Sequence, residues 1–528
     1  MSDRPANSPN ILHVFVDQMR FDCIAALGNT HMITPSLDRL VARATTFTSA
    51  YTPCPVCVPA RCSMIHGQYP HNTGCYENTS MPTDGRKTVM DALSGAGYRT
   101  HGIGKCHFTP DPLALRGFHH RETQEEIPAS QDEDDYLSTL RDADYAHIID
   151  PHGARGPMYY IPQIAQMPQE LHPTQWVGDR SVDFIRQTAD SQTPWYLYAG
   201  FIHPHPPFSP PAPWYTLYGF EDIPEPFIPD DAESLWTYVN RAQNRYKYRD
   251  QGYDRNLGRI MRAYYYACIS FIDYQVGRML DAIDSRSTDA RETLVVFSSD
   301  HGEYLGDFGC FGKRGMHDVS ARVPLLVSMP GTFDHGTVCD TPVSLVDLAP
   351  TFCRAGGVTP SESGVTFDGV ALQDVVSGHC KRSTVFAHHA YTREVDATRN
   401  GSLVAAGEVD AAERAESSTY MAVSSQYKYV YSALDQREYL FDRVNDPHES
   451  RNHAEDPDCA SIAGHLRSEL HEHLRSGGET AGIDVESGEW KAFPRRKLPA
   501  NPEAGLLVQN QPWASRDIPG YSRSAGNY

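Results

Sequence analysis

The chain has no uninterrupted apolar run long enough to cross a bilayer, which excludes a membrane-spanning helix. Its first ten residues are polar and lack the apolar core of a secretory signal, so the sequence leads to the expectation of a cytoplasmic protein. It also lacks excess positive charge. Forty-six Lys and Arg against 67 Asp and Glu leave a formal charge of -21, which disfavours nucleic acid and anionic membrane surfaces as partners. A small anionic ligand is still compatible, because a few local cations or a bound metal reverse the field inside a pocket. The twelve cysteines have no regular spacing and do not form a disulfide framework pattern. Cys54 and Cys57 make one C-x-x-C, but no second pair completes a zinc site, and the thioredoxin-like context of a redox pair is missing. No internal repeat is present.

What is there is a globular composition, 40% hydrophobic and 21% charged, over 528 residues. That length favours one large domain plus a smaller one. Apolar, β-rich runs at 11–16, 98–103, 195–200, 293–298 and 324–328 read as strands. Helical patterns at 35–44, 88–96, 174–189 and 259–284 lie between them. The alternation implies an α/β fold with a large, mostly parallel sheet between helices, and ligands gather beyond the carboxyl ends of such strands. After Arg382 the pattern changes to short strands at 420–423, 427–431 and 439–442, then a helix at 459–475. The expected domains are a catalytic unit over 1–382, a smaller α+β unit over 383–498, and a tail over 499–528 rich in Pro, Gly, Asn and Ser.

Two pairs of polar residues leave strand ends. Asp17-Gln18 follows the first strand, and Ser299-Asp300-His301-Gly302-Glu303 follows the run at 293–298. Either pair alone reads as a solvated turn. On neighbouring strands of one sheet they make a metal site of Asp17, Gln18, Asp300 and His301. Mostly oxygen ligands suit Ca2+, with Mg2+ or Mn2+ as alternatives, while the imidazole of His301 tilts selectivity toward manganese or zinc. Gly302 would let the backbone turn sharply after the acid.

The run Cys57-Val58-Pro59-Ala60-Arg61, followed by Gly67-Gln68-Tyr69-Pro70-His71-Asn72-Thr73-Gly74, resembles the signature of the formylglycine-dependent (type I) sulfatases of the alkaline-phosphatase superfamily. The resemblance extends to Gly104-Lys105-Cys106-His107 and Pro204-His205-Pro206-Pro207. Asp17-Gln18 and Asp300-His301 replace the family's commoner Asp-Asp and Asp-Asn pairs. That variant resembles the branch containing choline sulfatases and phosphonate monoester hydrolases. A second departure is His66-Gly67, where Thr-Gly is commoner; it lies outside the C-x-P-x-R core.

The resemblance implies an alkaline-phosphatase-like fold and a metal-dependent hydrolase of sulfate monoesters. Its nucleophile would be formylglycine, made from Cys57 by a formylglycine-generating or equivalent maturation enzyme, with an oxygen of residue 57 joining the metal ligands. Arg61 would hold the nucleophile loop. Lys105 and Lys313 would bridge the ester anion, His107 would contact a hydroxyl of the hydrated aldehyde, and His205 would protonate the leaving group. His203 is the neighbouring competitor for that last role, and Asn78 and His203 are candidate substrate contacts. Taken alone, Lys105 reads as a surface lysine and Tyr76-Glu77-Asn78 as a capped turn. His317-Asp318 is a further candidate pair for the pocket. The alternative activity is hydrolysis of phosphonate monoesters or phosphodiesters with the same nucleophile and metal. Loops at 116–128, 159–173 and 208–242 would build the organic subsite. The acidic stretch Gln131-Asp132-Glu133-Asp134-Asp135 could face a cationic substrate group, but such a run is more often a solvated loop. The aromatic residues of the tail and the habits of the family suggest a homo-oligomer.

Overall fold

The computed structural model describes residues 8–498 apart from 79–80, 129–131, 156–158, 248–253, 287–291, 334, 392–409 and 485. The tail at 499–528, with the oligomer contacts expected of it, lies outside the described residues. So does Gln131, just before the acidic run.

Fourteen strands are described, in chain order. They are β1 (Asn10–Asp17), β2 (Thr45–Phe47), β3 (Ala50–Tyr51), β4 (Arg99–Gly104), β5 (His120–Thr123), β6 (Trp195–Pro204) and β7 (Thr293–Ser299). Then follow β8 (Leu325–Ser328), β9 (Thr337–Cys339), β10 (Val343–Ser344), β11 (Val385–Ala390), β12 (Ser418–Val423), β13 (Tyr427–Ser432) and β14 (Arg437–Asp442). Eight of them form one sheet in the order β5-β4-β6-β1-β7-β8-β2-β9. The run from β5 to β7 is wholly parallel. Only β8 runs against its neighbours β7 and β2.

The central strands are apolar on both faces because both faces are covered. In β1, Leu12, Val14 and Val16 enter one core with Val177 and Ile185 of the helix Pro173–Gln187 and Ile269 and Ile272 of the helix Arg255–Asp284. Ile11 and Phe15, on the alternate face, enter a second core with Val58, Cys62 and Ile65 of the helix Cys57–His66. β6 and β7 divide in the same way, Leu197 and Val295 to the first core and Tyr196 and Val296 to the second.

The C-terminal unit is a separate antiparallel sheet, β11-β12-β13-β14. Tyr420 and Ala422 of β12 pack on Leu466 and Leu470 of the helix Ala460–Ser476. Met421 and Val423 face the large domain, beside Tyr51 and Tyr304. His317 and Asp318 belong to this junction and not to the pocket proposed for them. The His317 ring bonds Tyr304 at 2.8 Å, and Asp318 pairs with the buried Lys428 on β13 and accepts from the Tyr51 hydroxyl. The acidic run does structural work: Asp134 caps the helix Asp135–Asp142 by accepting from the Leu137 N–H, and Asp132 pairs with Arg141.

Burial leaves several imidazoles harder to protonate than in an unfolded chain. His13, His152, His203 and His317 are held down to about 3, and His66 and His205 to about 4, in each case chiefly by burial. An unfolded chain binds these protons near the ordinary value of 6.5, so the histidines cost stability as pH falls below that value. Burial pushes Asp134 and Glu449 up to about 7 and Asp273 to about 6, which works in the opposite direction over pH 7 to 4. The six histidines outweigh the three carboxyls. The unfolding free energy is therefore expected to fall between pH 7 and pH 5 by on the order of several kcal/mol, and the urea midpoint to fall with it. A midpoint that holds or rises over that range contradicts this balance.

Candidate active site

Four adjacent parallel strands, β4, β6, β1 and β7, each end in residues of one cluster. β4 delivers Lys105, β6 delivers His205, β1 ends in Asp17 with Gln18, and β7 leads into Asp300 and His301. The fifth contribution is the helix Cys57–His66, all ten residues of which are buried and whose first residue is Cys57. Its N-terminus therefore points the positive end of a helix dipole at the cluster. No side chain of its own cap residue Val56 accepts from it; instead the Asn78 Oδ1 accepts from the Val58 N–H at 3.1 Å. Asn78 thus anchors the helix that begins at Cys57.

Backbone geometry shows how tightly these ends are drawn together. Gly104 has φ +83°, and a Cβ there would meet the Gly200 carbonyl oxygen at 2.1 Å. Gly302 is needed for a different reason from the sharp turn expected of it. Its φ is not in the left-handed region; a Cβ would strike the Val319 carbonyl oxygen at 2.1 Å. Gln18 and His107, both non-glycine, are left-handed at φ 65° and 55°. Such residues persist only where their surroundings hold them. The Gln18 N–H donates to Asp300 at 3.0 Å and its carbonyl accepts from the Tyr265 hydroxyl at 2.7 Å. The His107 N–H donates to the Glu125 carboxylate at 3.1 Å.

The thiol of Cys57 is at the centre. It lies 2.6 Å from Lys313 Nζ, 3.3 Å from His301 Nε2 and 3.8 Å from Asp17 Oδ1, and His107 contributes a further hydrogen bond. Burial opposes its ionisation, but Lys313, Lys105 and His301 outweigh burial and hold it well below the ordinary thiol range. Arg61, one turn along the helix, donates from Nε to Asp300 at 3.0 Å and from Nη2 to Asp17 at 3.2 Å. Lys105 Nζ sits 2.6 Å from both Asp17 and Glu126. His205 donates from Nδ1 to the Pro206 carbonyl at 2.8 Å, which leaves Nε2 toward the Tyr159 hydroxyl at 3.3 Å.

The surroundings pull the two carboxylates in opposite directions. Burial and the Cys57 charge push Asp17 upward, but Lys105, His205 and Lys313 prevail and hold it low. Asp300 is raised by burial and by the charge on Asp17. A cation between them would relieve that repulsion, and the donors suit one. Ligand atoms of Asp17, Cys57, Asp300 and His301 all lie within 4.8 Å of one another in a fully buried group. Two carboxylates and an imidazole suit a divalent cation. Gln18 turns its amide oxygen to Lys313 at 2.9 Å and its Nε2 to Glu303. That carbonyl keeps a second lone pair.

His203 is not brought to the thiol by any hydrogen bond. Its nitrogens face Thr174 at 3.5 Å and Ser209 at 3.2 Å, and its ring packs on His172. Several site residues were not foreseen. Glu126 bridges Lys105 and Arg155 and lies 3.5 Å from His205. Glu303, at the end of the quoted strand-end run, fixes the Gln18 amide and accepts from the Tyr160 hydroxyl at 2.8 Å. Glu77 takes both arms of Arg314 at 2.9 Å and His389 of β11 at 2.9 Å, tying the C-terminal sheet to the loop that carries Lys313. Glu126 and Tyr159 fall inside the loops 116–128 and 159–173 expected to shape the site, but no local motif marks them.

The sequence profile of the sulfatase family matches residues 9–358, which includes every member of this cluster. The chain belongs to the sulfatase family. It is 29% identical to an arylsulfatase of Clostridium perfringens over 91% of this chain and 98% of that one. It is 31% identical to a choline-sulfatase of Rhizobium meliloti over 85% and 83%. Among solved structures it superposes on a phosphonate monoester hydrolase of Agrobacterium radiobacter with TM-score 0.74 and 25% identity, covering 92% of this chain and all of that one. The chain is thus a sulfuric ester hydrolase with the alkaline-phosphatase-like fold. Among its described residues no helix is long and apolar enough to cross a membrane.

Arg61 is 1% exposed and carries both buried carboxylates. Arg61→Ala is expected to lower stability by about 3–5 kcal/mol in chemical denaturation, because it strands buried charge. A loss under about 1 kcal/mol would show that Asp17 and Asp300 do not depend on it.

Proposed function

We propose that this sulfatase cleaves sulfate monoesters through a formylglycine derived from Cys57, with one divalent cation, Ca2+ in the first instance, held by Asp17, Gln18, Asp300 and His301. The observation that carries the proposal is the position of the Cys57 Sγ, between Lys313, His301 and Asp17. The sulfur stands in for an oxygen of the matured residue. A hydrated formylglycine with its cation supplies an oxygen nucleophile near neutral pH and, in its second hydroxyl, a route for releasing sulfate that a serine lacks.

The chain's own residues divide the remaining work. Lys105 and Lys313 set two ammonium groups where charge grows on the sulfuryl oxygens, in a site with no water-like dielectric to weaken them. His205 delivers a proton from Nε2 to the departing alcohol or phenol oxygen. In the free protein burial holds that ring down to about 4, with Glu126 pulling upward and Lys313 downward. A bound anionic ester adds negative charge beside it and favours its protonated form. His107 takes the proton from the second hydroxyl. Arg61 touches no ester atom; it fixes Asp17 and Asp300, and Asn78 holds the helix that begins at residue 57.

The second reading is a phosphonate monoester hydrolase or phosphodiesterase, favoured by the fold match to such an enzyme. Lys105 and His107 weigh against it, because two donors on that side suit a terminal sulfuryl group. The proposal includes maturation by a formylglycine-generating or equivalent enzyme, a homo-oligomeric state and a cytoplasmic location. The twelve cysteines are all free thiols, which suits a reducing compartment.

Matched aryl sulfate, phosphodiester and phosphonate esters test the ranking. Protein co-expressed with a maturation enzyme is expected to hydrolyse the sulfate fastest, and its Cys57 peptide to lose a sulfur and gain an oxygen by mass spectrometry. A dominant phosphodiesterase rate reverses the ranking, and full sulfatase activity from protein whose residue 57 is still a thiol removes formylglycine from the account.

A further inference from the structure

We propose that His101, His120 and Glu122 form a second divalent-cation site, of the zinc class, which clasps the outer strand pair β4–β5. The register places His101 directly opposite His120, and Glu122 lies two residues further along β5, so all three side chains share one face of the sheet. One ligand atom from each lies within 4.8 Å of the others. The two imidazoles are 4.9 Å apart between ring centroids, tilted by 51°. Two imidazoles and one carboxylate are a recurrent protein ligand set for Zn2+, with water in the fourth position.

His101 is only 4% exposed, yet its Nδ1 has no hydrogen-bond partner. Its other nitrogen, Nε2, sits 2.8 Å from Glu122 Oε1. Ligand atoms around a tetrahedral zinc stand about 3.4 Å apart at bond lengths near 2.1 Å, so a small widening admits the ion. The competitor is Arg180, whose Nε pairs with the other Glu122 oxygen. Its side chain is 43% exposed, so it can stay on Oε2 or move into water while Oε1 binds metal. His120 is exposed and provides the route of entry.

The placement has a consequence for catalysis. β4 runs on into Lys105 and β5 runs on toward Glu126, and these two side chains meet at 2.6 Å in the active site. A cation bridging His101 to His120 and Glu122 ties together the strands that set this contact. It shares no residue with the cluster around Cys57, so the two sites are separable.

Purified holoenzyme, dialysed against Zn2+ and counted by elemental analysis, tests the proposal. The wild-type chain is expected to hold one more zinc equivalent than His120→Ala and than Glu122→Gln, and added Zn2+ to raise the melting temperature of the wild type alone. The exposure of His120 means that its variant keeps the fold. Retention of the full zinc count by either variant, or an equal thermal shift in all three proteins, overturns the proposal.

Discussion

Two carboxylates buried side by side are the constraint on which the rest of this structure turns. Asp17 and Asp300 are both fully inaccessible and leave neighbouring parallel strands. Left alone, such a pair would not stay ionised. Arg61 reaches both from the helix that starts at Cys57, so the same guanidinium that bridges them fixes where residue 57 stands. A planar fork with several donors suits that bridge in a way a lysine ammonium does not. The position of residue 57 is therefore a consequence of charge balance in the sheet as much as of the local sequence.

Around that bridge, charges alternate. Lys105 lies between Asp17 and Glu126, Glu126 reaches on to Arg155, and Lys313 lies between Gln18 and the thiol. A chain with a net charge of -21 thus gathers paired cations and carboxylates at the carboxyl ends of four strands. The left-handed backbones of Gln18 and His107 are held by neighbours in this network, which places strain where the chemistry is. The C-terminal sheet takes part through His389, whose bond to Glu77 passes to Arg314 beside Lys313.

Much of this was legible in the sequence. Asp17 and Asp300 could be placed because each closes an apolar run long enough to be read as a buried strand, and parallel sheets gather their sites at those ends, whereas Lys105 and His205 came from the resemblance of their segments to the family's motifs, Lys105 alone reading as a surface lysine. Cys57 and Arg61 were legible from a spacing with a known chemical purpose. Glu126 and Glu303 were not, because their roles depend on contacts across the fold; an isolated glutamate carries no sign of its partner. His203 stands two residues from His205, and its nitrogens go to Thr174 and Ser209, partners that no local pattern announces. His317 and Asp318 lie at the junction with the C-terminal sheet, which no local pattern announces, since the pull of Lys428 comes from a strand more than a hundred residues later. The short strands β2, β3, β9 and β10, of two or three residues, are too brief to leave a periodic signal.

The most direct test of the central claim is anomalous diffraction from crystals of the matured protein grown with the activating cation. The account predicts one anomalous peak between Asp17, Asp300 and His301, within bonding distance of an oxygen on residue 57. Density for an unmodified thiol with no metal peak, from a preparation that hydrolyses sulfate esters at its full rate, would contradict it.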